Sequence, residues 1–250
     1  MFTMFDLCRA TPEEARQPLP GDEVIPHPIM SQTHAITIEV PPDQVWPWLV
    51  QMGCGRAGWY SYDLLDNGGR HSATTINSAW HHLVIGEVMP AVPGSRDAFV
   101  VMDFTPGNML LLGVPVVNAS GGVGEPPASA PAFIMSWVHV LEEAPAHHTR
   151  LITRGRGGDI PPLSSPKAGK PLRARFAAPS ELLVTIILKL PKPVMAFFYR
   201  LVHFIMDRRH LVGIKQRAER QALVGSSPAE EKRAAAIAAG ELMGSGKMER

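Results

Sequence analysis

The chain changes its hydrophobic rhythm twice. Residues 33–40, THAITIEV, alternate apolar and polar positions and are rich in β-branched side chains, which predicts a strand. Pro41-Pro42 ends it. Over 43–53, DQVWPWLVQMG, the period becomes helical, with Val45, Trp46, Leu49, Val50 and Met52 mostly on one face. Pro47 is tolerated there because it falls near the first turn, and Gly53 and Gly55 stop the helix. A second short helix is expected over Ser61–Asn67, closed by Gly68-Gly69. From Gly86 the period returns to two. Strands are predicted near 86–92, 97–104, 108–114, 132–142 and 148–157. Pro93-Gly94 and Pro106-Gly107-Asn108 punctuate the early ones. Short connections between successive strands favour an antiparallel meander.

Helix resumes near Ser180 and breaks at Pro191 and Pro193. Beyond the break, Val194, Phe197, Phe198, Leu201, Ile205 and Val212 recur at helical spacing and form one apolar stripe on a long helix. The stripe is expected to lie over the concave face of a twisted sheet. The predicted architecture is α+β: a curved antiparallel sheet wrapped around a long C-terminal helix, with two short helices after the first strand. Covering a concave face with one helix leaves space beneath it, and that space is the expected ligand site.

The flanks read differently. Residues 1–32 look like an N-terminal arm. Thr11-Pro12-Glu13-Glu14 is a capping box for one short helix. The main domain is expected over 33–223. An Ala-rich tail, 224–250, holds a second capping box at Ser227-Pro228-Ala229-Glu230. Residues 118–131 are a loop by composition, and 158–179 hold five prolines with little periodicity.

Composition narrows the function. Hydrophobic residues make up 45% of the 250 positions, enough for a sizeable core. Lys+Arg number 24 against 23 Asp+Glu, so nothing favours a nucleic-acid partner. Cys8 and Cys54 match no metal or redox spacing, and the N-terminus lacks a basic signal-peptide region, so a cytoplasmic location is expected. Residues 182–206 are apolar but interrupted by Lys189, Lys192, Arg200 and two prolines, which argues against a membrane span. No nucleotide fingerprint or nucleophile elbow is present. No cofactor and no metal are expected.

The string WPWLVQMGCGRAGWYSYDLLDN (46–67), followed by HSA at 71–73, Trp80 and GEVMP at 86–90, resembles the SRPBCC superfamily, also called START-like or polyketide-cyclase-like. It is most similar to a bacterial subgroup of uncharacterised members. FIMDRRHLVGIKQRAE (204–219) is similar to that subgroup's closing helix. The resemblance runs from about Pro20 to Glu219 and implies a helix-grip fold with a deep apolar cavity. In the superfamily such cavities serve lipid carriage, hormone sensing, polyketide cyclisation and oxygenase catalysis, and fold alone does not choose among them. The chain departs from the subgroup at Leu64–Gly69 and at His81-His82, both expected at the cavity mouth.

The expected cavity contacts are Trp59, Tyr60, Tyr62, Asp63, Trp80, Trp137, His139, Phe197 and Leu201. Candidate acid-base groups are Asp63, His71 and His139. His71, His81 and His82 do not assemble a metal set, because neighbours at i,i+1 point apart. Alternation puts Trp137, His139 and Leu141 on one strand face. Arg150, Arg154 and Arg156 share parity in the last strand and are expected to face solvent on the convex side, the alternative being that one of them binds a ligand carboxylate bidentately. His203, Asp207 and His210 share a helix face, read as ordinary i,i+3 and i,i+4 pairing. The leading functional expectation is binding or carriage of a small apolar molecule, such as a lipid, isoprenoid or polyketide. The alternatives are a cyclase or lyase using a cavity acid-base residue, and a membrane-surface or protein-interaction module using the basic, apolar C-terminal helix.

Overall fold

A computed structural model describes residues 7–94, 98–115, 133–158 and 192–225. The expectations for 118–131, 159–191 and the tail from 226 onward lie outside the described residues. Six strands form one antiparallel sheet: β1 (Met30–Ile38), β2 (Val88–Pro90), β3 (Ala98–Thr105), β4 (Met109–Pro115), β5 (Phe133–Ala144) and β6 (His148–Gly157). Their spatial order is β1-β6-β5-β4-β3-β2. Among the described residues, the α-helices α1 (Pro12–Arg16), α2 (Pro42–Gln51) and α3 (Asp63–Asp66) precede or interrupt the sheet. The long helix α4 (Lys192–Gly225) closes it, packing on β1 and α2. This is a helix grip.

Each predicted strand forms close to its expected place, because the period-two pattern reflects real alternation between two buried faces. On the concave side, Ile36, Ile38, Leu110, Leu112, Trp137, Leu141 and Leu151 join Val45, Trp48, Leu49 and Met52 of α2 and its C-cap in one core. On the convex side, Ala35, Met109, Leu111, Val138, Val140 and Ile152 form a second, smaller core with Leu19. Burial at the interior of both faces explains why β4 reads as MLLLGVP, nearly continuous and apolar.

The convex core corrects the expectation for the arginine row. Arg150, Arg154 and Arg156 do lie on that side, but residues 8–25 fold across it and cover them. Arg154 is only 4% exposed. Its guanidinium donates to Thr33 Oγ1, to Asp22 Oδ2 and to the carbonyls of Glu14, Ala15 and Gln17. Arg150 forms a forked pair with both oxygens of Glu14. The Thr11 capping box is present, with Thr11 and Glu14 bonded reciprocally, so Glu14 serves as cap and as anion at once.

The face that α4 turns inward also differs from expectation. Phe197, Leu201 and Ile205 are exposed, Val212 is half-buried, and the side chains of Val194 and Phe198 lie outside the described residues. The packed face is instead Asp207, His210, Leu211, Ile214 and Ala218, all buried. The apolar-stripe rule selected the wrong side because the inward face carries buried polar groups at its centre. At Gly213 the helix passes so close to Tyr60 that a Cβ would sit 2.1 Å from the Tyr60 carbonyl oxygen. Tyr60 itself has φ 57°, an unusual conformation for a non-glycine residue, imposed where the chain turns under α4.

Candidate functional site, a cavity above a buried histidine row

Antiparallel register sets up the site. His34, Thr153, His139 and Leu110 stand opposite one another across β1, β6, β5 and β4. They share one pleat row, so all four side chains rise from the concave face together. One row along, Gln32, Gly155, Trp137 and Leu112 are partners. Gly155 leaves a gap there. A Cβ at that position would lie 2.7 Å from Cε1 and Nε2 of His203, so the missing side chain is what admits the His203 ring.

Helix α4 completes the row from above. Asp207 Oδ2 accepts from His34 Nδ1 at 2.6 Å and from Thr153 Oγ1 at 2.8 Å. One turn later, His210 Nδ1 donates to the Trp59 carbonyl at 2.6 Å. That bond fixes the tautomer: Nε2 of neutral His210 is then an acceptor, so His139 Nε2 must donate across their 3.1 Å contact. His139 Nδ1 is left as a bare acceptor, buried and without a hydrogen-bond partner.

Burial governs the charges. It opposes ionisation of Asp207, but the hydrogen bond and charge of His34 hold this carboxyl well below the usual range. Burial first, and then the neighbouring His210, push His139 down to about 3. Burial likewise lowers His203 and His210, with Asp207 opposing the shift. These three imidazoles are therefore neutral near pH 7. Tyr60 backs His210 in a stacked arrangement at 6.4 Å, and the Arg217 guanidinium lies over the Tyr60 ring, 4.7 Å from its centroid.

Beside this row a cavity of about 300 Å³ opens between sheet and helix. Its apolar wall is Trp59, Phe99, Met135, Trp137, Val202 and Met206. Three of these rings form a triangle, with centroids 5.1 Å (Trp59–Phe99), 5.6 Å (Phe99–Trp137) and 6.0 Å (Trp59–Trp137) apart. Trp59 is held by its indole N–H, which donates to the Ala91 carbonyl at 3.0 Å. Asp66, His203, Asp207 and His210 supply the ionisable part of the wall.

Asp66 is the least explained of them. It ends the single turn of α3, is 3% exposed, and neither carboxyl oxygen has a hydrogen-bond partner. The nearby Ser61 hydroxyl is already donated to the Met206 carbonyl at 3.1 Å. Burial, reinforced by the charge of Asp63, raises Asp66 to about 7. The Tyr62 and Asp66 amides and Ser61 offset this only weakly, from outside bonding geometry.

The expected contacts divide. Trp59 and Trp137 line the cavity, and His139 sits directly behind Trp137, their ring centroids 4.5 Å apart. Tyr60 is fully buried, with its hydroxyl engaged by Gln51 and by the Trp48 carbonyl. Asp63 is occupied by the amide and hydroxyl of Ser72, and His71 beside it is an exposed side chain. Tyr62, Trp80, Phe197 and Leu201 are absent from the lining. His81 and His82 are exposed, so of the two departures from the subgroup pattern only the Leu64–Gly69 segment reaches the cavity, through Asp66. Sequence reasoning passed over His34, Asp66, His203, Asp207 and His210. The usable signal was the shared face of His203, Asp207 and His210. His34 and Asp66 carried none, since each stands alone in its own segment. Among the described residues, no three His, Cys, Asp or Glu side chains are arranged to hold a metal ion, and no helix is long and apolar enough to cross a membrane.

No family model matches the chain. No curated protein matches it either. Solved structures do. A polyketide-cyclase-like protein from Corynebacterium glutamicum is 12% identical over 77% of this chain and 93% of that one, with a TM-score of 0.38. A protein from Thermobifida fusca is 10% identical over 76% and 93%, TM-score 0.40. One from Mesorhizobium loti is 11% identical over 76% and 98%, TM-score 0.38. These are likenesses of fold.

Proposed function

We propose that this protein binds a small, mostly apolar molecule in the cavity between sheet and α4. The observation that carries the reading is the cavity itself. Its volume of about 300 Å³ is at the lower end of the range usual for small-molecule sites, and its wall is dominated by aromatic and aliphatic side chains. A wall of rigid rings supplies apolar area at little entropic cost.

Two of the lining residues are tryptophans, so occupancy should alter their fluorescence. The test pairs that signal with native mass spectrometry of gently purified protein. Val202→Trp, placed in the wall, should fill the cavity and abolish binding while the protein still melts cooperatively. Unchanged binding by a folded Val202→Trp protein would remove the cavity as the site. A cyclase or lyase reading draws support only from ionisable groups in the wall, Asp66, His203, Asp207 and His210, because Asp63, His71 and His139 stand outside it.

A further inference from the structure

Buried polar atoms without partners are uncommon in folded proteins, and each one calls for a physical reason. Four side chains of this cavity wall carry them: Asp66 at both carboxyl oxygens, Asp207 at Oδ1, Trp137 at Nε1 and His203 at Nδ1. Other polar groups nearby are spent. Ser61 is bonded to Met206, Trp59 to Ala91, and His210 to Trp59 and His139. Other orphaned atoms, such as Trp48 Nε1 and Arg56 Nε, lie elsewhere, but these four side chains share the lining of one cavity.

Its chemistry is specific. Trp137 Nε1 can only donate. Asp207 Oδ1 belongs to a carboxylate held ionised by His34 and Thr153, so it can only accept. Asp66 has two oxygens and can do either. A group that meets such a set must both donate and accept, and must be uncharged or cationic, because the wall already contains one fixed carboxylate. An anionic head would face Asp207 with no buried cation among the lining residues to receive it.

We infer that the ligand is an apolar molecule bearing a neutral hydroxyl group, an alcohol or phenol, which hydrogen-bonds to Asp66, and that carboxylate-headed ligands such as fatty acids are rejected. This rests on the cavity being the binding site, as proposed above. The orphaned atoms are buried although their residues line the cavity, so Asp66 must reach the ligand by a side-chain rotation. The one-turn helix that carries it, followed by Gly68-Gly69 at positive φ, leaves the segment room to adjust.

The test uses three probes that share one ring system: naphthalene, 2-naphthol and 2-naphthoate, titrated into the full-length protein with tryptophan fluorescence and calorimetry as readouts. The expected order is 2-naphthol tightest, roughly tenfold over naphthalene, which corresponds to one buried hydrogen bond, with 2-naphthoate weakest. Asp66→Leu should erase the naphthol advantage and leave naphthalene binding within about threefold of the parent. Asp66→Asn, which keeps a donor and an acceptor, should retain the advantage. Equal binding of naphthol and naphthalene by the parent protein, tight binding of naphthoate, or an undiminished naphthol preference in Asp66→Leu would each overturn the inference while leaving the cavity reading intact. Failure of all three probes to bind would overturn the cavity reading itself. Should Asp66→Leu not fold, the three-probe order in the parent and in Asp66→Asn still decides.

Discussion

The two faces of the sheet handle buried polar groups in opposite ways. On the convex face Arg154 is almost fully covered, and its guanidinium donates to Thr33, Asp22 and three arm carbonyls, using the five N–H groups an arginine has. On the concave face Asp66 is equally covered and its carboxyl bonds to nothing. The convex network holds residues 8–25 onto the sheet, with Arg156 adding an ion pair to Asp22 at 3.1 Å. The concave set is incomplete, and it borders a cavity. The difference is that Arg154 spends every donor on the protein itself, while Asp66 keeps two unused oxygens at the edge of a cavity.

The largest effect should come from breaking the saturated side. Arg154→Ala takes the donor from the Glu14, Ala15 and Gln17 carbonyls and leaves Asp22 with only the Leu19 amide and Arg156, and a loss of about 3–5 kcal/mol in unfolding free energy is expected, read by urea denaturation. Ligand binding in molecules that remain folded should change little, which separates the two faces. A loss under about 1 kcal/mol would show that the arm is held by Leu19 and its apolar neighbours instead.

Next comes Asp207, saturated at one oxygen and open at the other. Its folded pKa is depressed, so it contributes stability above the ordinary aspartate range near pH 3.8, and that contribution is lost as pH falls through and below that range. Asp207→Asn should cost about 2–3 kcal/mol at pH 7 and flatten the acid limb of the stability curve. An acid limb identical to the parent's would mean that other carboxylates govern it.

Asp66 runs with the opposite sign. Its folded pKa is raised from 3.8 to about 7, so the unfolded chain ionises first as pH rises. Stability from this group is full below about pH 4, falls between about 4 and 7, and stays low above. Asp66→Asn should therefore be near neutral at pH 4 and stabilising by about 2–3 kcal/mol at pH 8. Melting curves at the two pH values check this. Equal shifts at both would remove the titration argument.

How far these differences were legible beforehand follows from what each pattern measures. Period-two alternation reports that a strand has two environments, and all of β3–β6 could be placed from it. Parity put Trp137 and His139 on one strand face, without saying which face is concave. Long-range pairing was not legible. Nothing near His34 says that Asp207 lies across from it, because that contact depends on β1 meeting β6 and on the rotation of α4. The rotation was misjudged for the same reason. Hydrophobicity ranks Phe197, Leu201 and Ile205 above His203, Asp207 and His210, yet the latter face the sheet, where Asp207 meets His34 and Thr153, and His210 meets His139 and the Trp59 carbonyl. Asp66 was invisible, since a lone aspartate before Asn-Gly-Gly resembles any turn.

That misjudged rotation yields the smallest prediction. Leu201 is 40% exposed, and Leu211, ten residues on, is fully buried in the concave core. If the inward face of α4 is the polar-centred one, Leu201→Ser should alter stability by no more than about 0.5 kcal/mol. Leu211→Ala should cost about 2–5 kcal/mol. The contrast matters more than either value. Both leucines lie on the same long helix, so helix propensity changes of a few tenths of a kcal/mol cannot produce a several-fold difference between them. Comparable losses at the two positions would mean that α4 also buries its Phe197–Ile205 side in solution. The cavity would then have a second apolar boundary, and the hydroxyl selected by Asp66 would be only one end of a larger ligand.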